Sequence, residues 1–86
     1  MAQQSPLMRQ RLLAGLSKAE LARRAGVDET TITRAETGKR VQAHKASLIA
    51  QAISQARGEE FSVEDLGIVT WHTPLSRQAK GLFAAI

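Results

Sequence analysis

Four polar side chains occupy one face of a short predicted helix: Glu29, Thr30, Thr33 and Arg34. They face outward because the apolar residues among them, Ile32 and Ala35, share the opposite face at helical spacing. Threonine can meet a thymine methyl group or a base edge, and the Arg34 guanidinium fork fits guanine O6 and N7. For Arg34 a phosphate contact is an equal alternative. Glu29 either accepts from cytosine N4 or only complements the helix dipole.

Cationic side chains are concentrated in the same half of the chain. Residues 1–45 carry nine Lys and Arg against four Asp and Glu, whereas residues 46–86 carry three against four. A basic surface of this kind suits the phosphates of a nucleic acid, although surface charges that only keep a protein in solution are the alternative. The predicted phosphate contacts lie at a helix start and in a loop: Ser17, Lys18, Lys39 and Arg40.

Two short helices joined by a tight turn must position these side chains. Ser17 followed three residues later by Glu20 is a capping box, which predicts the start of the first of the two helices. Gly26 can take the left-handed conformation that a sharp turn needs. Asp28 is a good N-cap for the outward-facing helix, and Gly38 ends it.

The stretch from Ser17 to Gly38 resembles the helix-turn-helix of the phage-repressor family, also called Cro-like or XRE. The matching features are Leu16-Ser17, Glu20-Leu21-Ala22, Gly26-Val27, Thr31-Ile32, Arg34, Glu36 and Gly38-Lys39. Helix pairs with a glycine turn also occur in unrelated folds, but the combined spacing is much more specific. The resemblance covers about residues 7–66. It implies that the third helix enters the major groove with its N-terminus first.

The resemblance also implies an ion pair between Arg11 in the first helix and Glu36 in the third. In the family, the residues at the matching places pair in this way. The alternative is two separate surface charges.

We predict an all-α fold, a compact five-helix repressor-like helix-turn-helix domain over residues 1–66 with an extension over residues 67–86. Ser5-Pro6 starts the first helix, whose inward face holds Leu7, Met8, Arg11 and Leu12. The fourth helix covers about residues 43–56, although no Pro or Ser cap precedes it as the family would have it. The fifth is a short helix that begins at Ser62.

The extension carries apolar side chains that a domain of this size does not need for its own core. Its pattern allows a strand near residues 68–72 and a helix after Pro74. We predict a subunit interface because exposed apolar groups need cover. The interface would use Ile68, Val69, Trp71, Leu82, Phe83 and Ile86. The alternative is that the extension folds back on its own domain.

Composition argues against several other functions. The chain has no cysteine, so it has neither a disulfide framework nor a thiolate metal site. His44 and His72 lie far apart without a nucleophile pattern, and no glycine-rich phosphate loop is present. We therefore expect no enzyme activity, metal or cofactor. The absence of a secretory signal or a membrane-length apolar run predicts a cytoplasmic protein. The family resemblance implies a bacterial, plasmid or phage origin.

The predicted function is that of a transcriptional regulator that binds double-stranded DNA in a sequence-specific way. We expect a repressor that binds a pseudo-palindromic operator as a homodimer. One alternative is an antitoxin that binds a protein toxin and regulates its own operon, which the lack of a long disordered tail weakly disfavours. A second is an adaptor that no longer binds DNA, and the intact basic loop after Gly38 argues against it.

Overall fold

The computed structural model describes residues 4–71, which form a helical domain with one small parallel strand pair. The elements in chain order are α1 (Pro6–Leu13), α2 (Lys18–Ala25), α3 (Glu29–Glu36), β1 (Val41–Gln42), α4 (Ala43–Arg57), a 3-10 turn (Glu64–Leu66) and β2 (Thr70–Trp71). The predicted helix after Pro74 lies outside the described residues. No helix within residues 4–71 is long and apolar enough to cross a membrane.

Side-chain caps determine where the first three helices begin. Ser5, Ser17 and Asp28 each accept a hydrogen bond from the backbone amide three residues further on, at 3.0 to 3.1 Å. Each cap satisfies one of the amides that a helix start leaves without a partner. Only half of the predicted capping box forms, because the Glu20 carboxylate accepts from Arg23 at 2.6 Å instead of returning to the start of α2.

A left-handed glycine sets the angle between α2 and α3. Gly26 ends α2 at φ 77°, where a side chain would be strained, and its amide donates to the carbonyl of Ala22. The Val27 amide donates to the same carbonyl at 3.0 Å. These bonds fix the turn, so α3 leaves α2 in a direction that exposes one of its faces.

Aliphatic side chains from every helix fill the core. Its largest fully buried members are Leu7, Leu21, Ile32, Ile49, Ile53 and Leu66. The inward face of α1 is narrower than predicted, since Leu12 is 49% exposed. Only Leu7 and Arg11 of α1 are buried.

The predicted five-helix count is not confirmed. Where the fifth helix was expected, the chain makes a single 3-10 turn over Glu64–Leu66. Ser62 and Asp65 cap each other through their backbone amides, at 2.9 and 3.0 Å. The turn ends at Gly67, which takes a left-handed φ of 68°. A residue in this conformation ends a helix, so the turn does not continue.

The first residues of the predicted extension belong to the folded unit. Ile68 is buried in the core together with residues of the helices. Its side chain therefore offers little surface for the subunit contact predicted for it. Beyond it, β2 pairs in parallel with β1, and the Val41 amide donates to the carbonyl of Val69 at 2.8 Å.

Candidate nucleic-acid interface

The exposed face of α3 holds the side chains predicted to read bases. Ile32 and Ala35 are fully buried, and this burial turns the opposite side of α3 to solvent. That side carries the exposed Glu29, Thr30 and Arg34 and the half-buried Thr33. One short helix therefore presents hydroxyl, guanidinium and carboxylate groups together, as a reader of base edges requires.

The start of α2 lies next to this face. The Lys18 ammonium group donates to the Thr33 hydroxyl over 3.3 Å, which joins a predicted phosphate contact to a predicted base contact. An ammonium group has three donors, so two remain for a phosphate. The Ser17 oxygen accepts from the Glu20 amide, and this leaves the Ser17 hydroxyl proton available to an anion.

The loop after α3 supplies two further exposed cations. Gly38 takes a left-handed φ of 82°, and Lys39 and Arg40 follow it on the surface. The Lys39 amide donates to the carbonyl of Arg34 at 2.9 Å, which ties the loop to the end of α3. Backbone bonds thus hold both cations beside the exposed face.

Arg34 makes a contact with this loop that the sequence analysis did not predict. One terminal nitrogen of its guanidinium donates to the carbonyl of Arg40 at 3.0 Å. Guanidinium has five N–H donors, so most of the fork remains available. Arg34 is therefore held near the loop, and most of its donors remain unused by this bond.

Negative charge collects at the leading end of α3. The hydroxyl of Thr31, and then its amide, donate to the Asp28 carboxylate and hold the pKa of Asp28 below its ordinary value. Glu29 follows in the first turn of the helix. Both carboxylates complement the helix dipole, but they repel phosphates, so phosphate contacts are expected at α2 and at the loop instead.

A buried ion pair fixes α3 against α1. The Arg11 Nε atom lies 2.6 Å from a Glu36 carboxylate oxygen, and one terminal nitrogen lies 3.3 Å from the other oxygen. The second terminal nitrogen of Arg11 donates to the carbonyl of Leu16 at 3.0 Å, just before α2. The side chains are only 9% and 1% exposed, and within residues 4–71 no buried side-chain nitrogen or oxygen lacks a partner. One arginine thus ties the start of α2 and the end of α3 to α1.

The residues predicted for a subunit interface are only partly described. Val69 and Trp71 are 44% and 38% exposed on the segment that contains β2. The other three, Leu82, Phe83 and Ile86, lie outside the described residues.

Two capped helices joined by a glycine turn, with a polar exposed face bordered by cations, define a helix-turn-helix DNA-binding domain. A family model described as helix-turn-helix matches residues 7–54, more than half of the chain. The chain therefore belongs to the XRE/Cro-like helix-turn-helix family, whose members bind DNA and regulate transcription. A search of curated proteins and a search of solved structures found no match.

Proposed function

We propose that this protein is a transcriptional repressor that binds a pseudo-palindromic operator as a homodimer. The observation that carries the proposal is the exposed face of α3, where Lys18 is bonded to Thr33 and the loop of Lys39 and Arg40 is bonded to Arg34. Cationic groups next to a base-reading helix match a duplex, whose phosphates line the edges of the major groove.

The cations and hydroxyls at the two borders would set the position of the helix on the duplex. Lys18 and the Ser17 hydroxyl would contact one phosphate at the start of α2, where the helix dipole also favours an anion. Lys39 and Arg40 would contact the opposite strand. These contacts carry no sequence information, so they supply affinity and salt dependence.

Base readout would come from the exposed face itself. Thr30 and Arg34 are the principal candidates, with thymine methyl groups and guanine as their respective targets. Thr33 would use its methyl group while its oxygen accepts from Lys18. Glu29 would accept from cytosine N4, a contact that offsets the repulsion between its carboxylate and the DNA.

Two copies are proposed because one recognition helix reads only a few base pairs, too few to select a site in a genome. Two-fold related helices would read half-sites one helical turn apart, roughly 34 Å. The contact would involve the exposed Val69 and the apolar residues of the extension. A self-complementary patch is what two-fold symmetry requires. We place this activity in the bacterial cytoplasm, where the DNA lies.

Selection of bound duplexes from a random library tests the proposal directly, followed by footprinting on the selected site and on the promoter of the protein's own gene. We expect an inverted repeat, a footprint over both half-sites, and reduced transcription in vitro when the site overlaps a promoter. Affinity should fall steeply as salt rises. Equal affinity for the selected site and a scrambled duplex would refute sequence-specific binding, and increased transcription would refute repression.

A further inference from the structure

A basic cleft of about 290 Å³ lies beside the exposed face of α3, where β1, β2 and the start of α4 meet. Three cationic side chains line it, namely Arg34, Arg40 and Lys45, and the only tryptophan of the chain, Trp71, completes it. No carboxylate is among the described residues that line the cleft. The cleft is thus a cationic recess with one aromatic wall.

Backbone pairing holds the aromatic wall in place. In the parallel register of β1 and β2, Gln42 lies opposite Trp71, and the bond from the Val41 amide to Val69 anchors the same segment. The indole comes from a part of the chain 26 residues beyond Lys45. It reaches the cleft only because β2 returns to the loop that follows α3.

Charge and position together indicate the ligand. Arg34 and Arg40 also belong to the candidate nucleic-acid interface, so the cleft continues that surface without a break. Lys45 is near enough to Asp28 to help Thr31 lower the pKa of that carboxyl. Even when the Asp28 carboxylate is counted with the three cations, the net charge around the cleft is positive.

We propose that the cleft holds a backbone phosphate of the duplex bound by α3, with Arg40 and Lys45 as counter-charges and Trp71 packed against the adjoining deoxyribose. The inference rests on the proposed DNA binding and extends the interface to residues of the C-terminal segment. Phosphate contacts of this kind add affinity but no base preference.

Trp71 is also a built-in probe, because the chain has no other tryptophan and no tyrosine. The full-length protein is titrated with its selected duplex while the anisotropy of a labelled duplex and the tryptophan emission are recorded together. We expect the emission of Trp71 to change with the same midpoint as the anisotropy. A parallel titration with inorganic phosphate asks whether a small anion alone occupies the cleft.

Two variants test the assigned contacts separately. Trp71→Ala should weaken binding at least about threefold on cognate and scrambled duplexes alike. Lys45→Gln should make the slope of log affinity against log salt less steep by about one unit. The matched controls are Leu13→Ala, which shortens an exposed apolar side chain on α1, and Arg57→Gln, which removes one charge at the far end of α4. Thermal melting of each variant shows whether it remains folded.

Several outcomes would overturn the proposal. Duplex binding with constant Trp71 emission and unchanged affinity of Trp71→Ala would remove the phosphate contact but leave the proposed function intact. If the wild type sediments as a dimer but Trp71→Ala sediments as a monomer with reduced affinity, Trp71 belongs to the subunit interface instead. An emission change with inorganic phosphate but not with the duplex would make the cleft a small-anion site. No anisotropy change with any duplex would refute the proposed function as well.

Discussion

Replacing Glu36 with glutamine should destabilise the domain without altering its DNA-contact surface. The change keeps the shape of the side chain but removes the charge that balances the Arg11 guanidinium, which is 9% exposed. An unbalanced buried charge of this kind typically costs about 3–5 kcal/mol. A domain of this size has a total stability of about 5–15 kcal/mol, so the variant loses a large share of it.

The expected loss can be measured by thermal and urea unfolding, followed by circular dichroism. At about 4–8 °C per kcal/mol for a domain of this size, the melting temperature should fall by at least about 12 °C. Molecules that remain folded at low temperature should bind the selected duplex as the wild type does, because Glu36 is buried away from the exposed face of α3.

A second ion pair provides a matched control. Arg23 and Glu20 also approach to 2.6 Å, but their side chains are 68% and 36% exposed. Solvent screens such a pair, so Glu20→Gln should cost only about 0–1 kcal/mol. The shortest distance between the charged atoms is the same in the two pairs, so burial is the main difference that the comparison tests.

A double-mutant cycle decides whether the Arg11 and Glu36 side chains act together. Arg11→Met combined with Glu36→Gln should cost less than the sum of the two single changes, by up to about 3 kcal/mol. Additive effects, or a cost of Glu36→Gln no larger than that of Glu20→Gln, would refute the view that the pair is a buried and mutually dependent unit.

Four further changes test the interface, the oligomer and one cap. Lys39→Gln should weaken binding equally on all duplexes and make the dependence of log affinity on log salt less steep by about one unit. A loss that depends on the DNA sequence would contradict a phosphate role. Arg34→Ala should cost about 1–3 kcal/mol on the cognate site and relax one base position in each half-site, whereas an equal loss on mismatched sites would make it a phosphate contact. Removal of residues 72–86 should give a folded monomer in sedimentation, and a persistent dimer would place the interface within residues 1–71. The Thr31 hydroxyl lowers the pKa of Asp28, so this stabilisation is complete above pH 3.8 and is lost as pH falls through the lower folded-state value. Asp28→Asn should reduce the fall in melting temperature that the wild type shows as the pH is lowered. An unchanged fall in the variant would contradict a stabilising role of the Asp28 carboxylate.

The parts of the fold that could be predicted depend on neighbours three or four residues apart. Ser5, Ser17 and Asp28 mark helix starts through their own amide contacts, and Gly26 marks the turn through its backbone conformation. The same local spacing identified the exposed face of α3. The contact between Arg11 and Glu36, 25 residues apart, came only from the family resemblance.

The features that sequence reasoning missed depend on contacts between distant or very short segments. A two-residue strand such as β1 has no periodicity, and its partner β2 lies 29 residues further along the chain. The same return of the chain brings Trp71 beside Lys45, which sequence separation conceals. Ser62 and Gly67 marked the two ends of this segment in the sequence, but nothing local showed that the turn between them would be 3-10 instead of α-helical.

Because the Val41 amide donates to the Val69 carbonyl, its hydrogen exchange reports the separation of β1 from the C-terminal segment. Val41 is almost fully buried, and its amide can exchange with solvent only when the strand pair separates or the whole domain unfolds. Amides in the middle of α4 can exchange only when the whole domain unfolds. A Val41 amide that exchanges faster than those of α4 would show that the C-terminal segment detaches from the loop of Lys39 and Arg40 while the helices stay intact. The ratio of the intrinsic exchange rate of the Val41 amide to its measured rate would give the free energy that holds the segment in place.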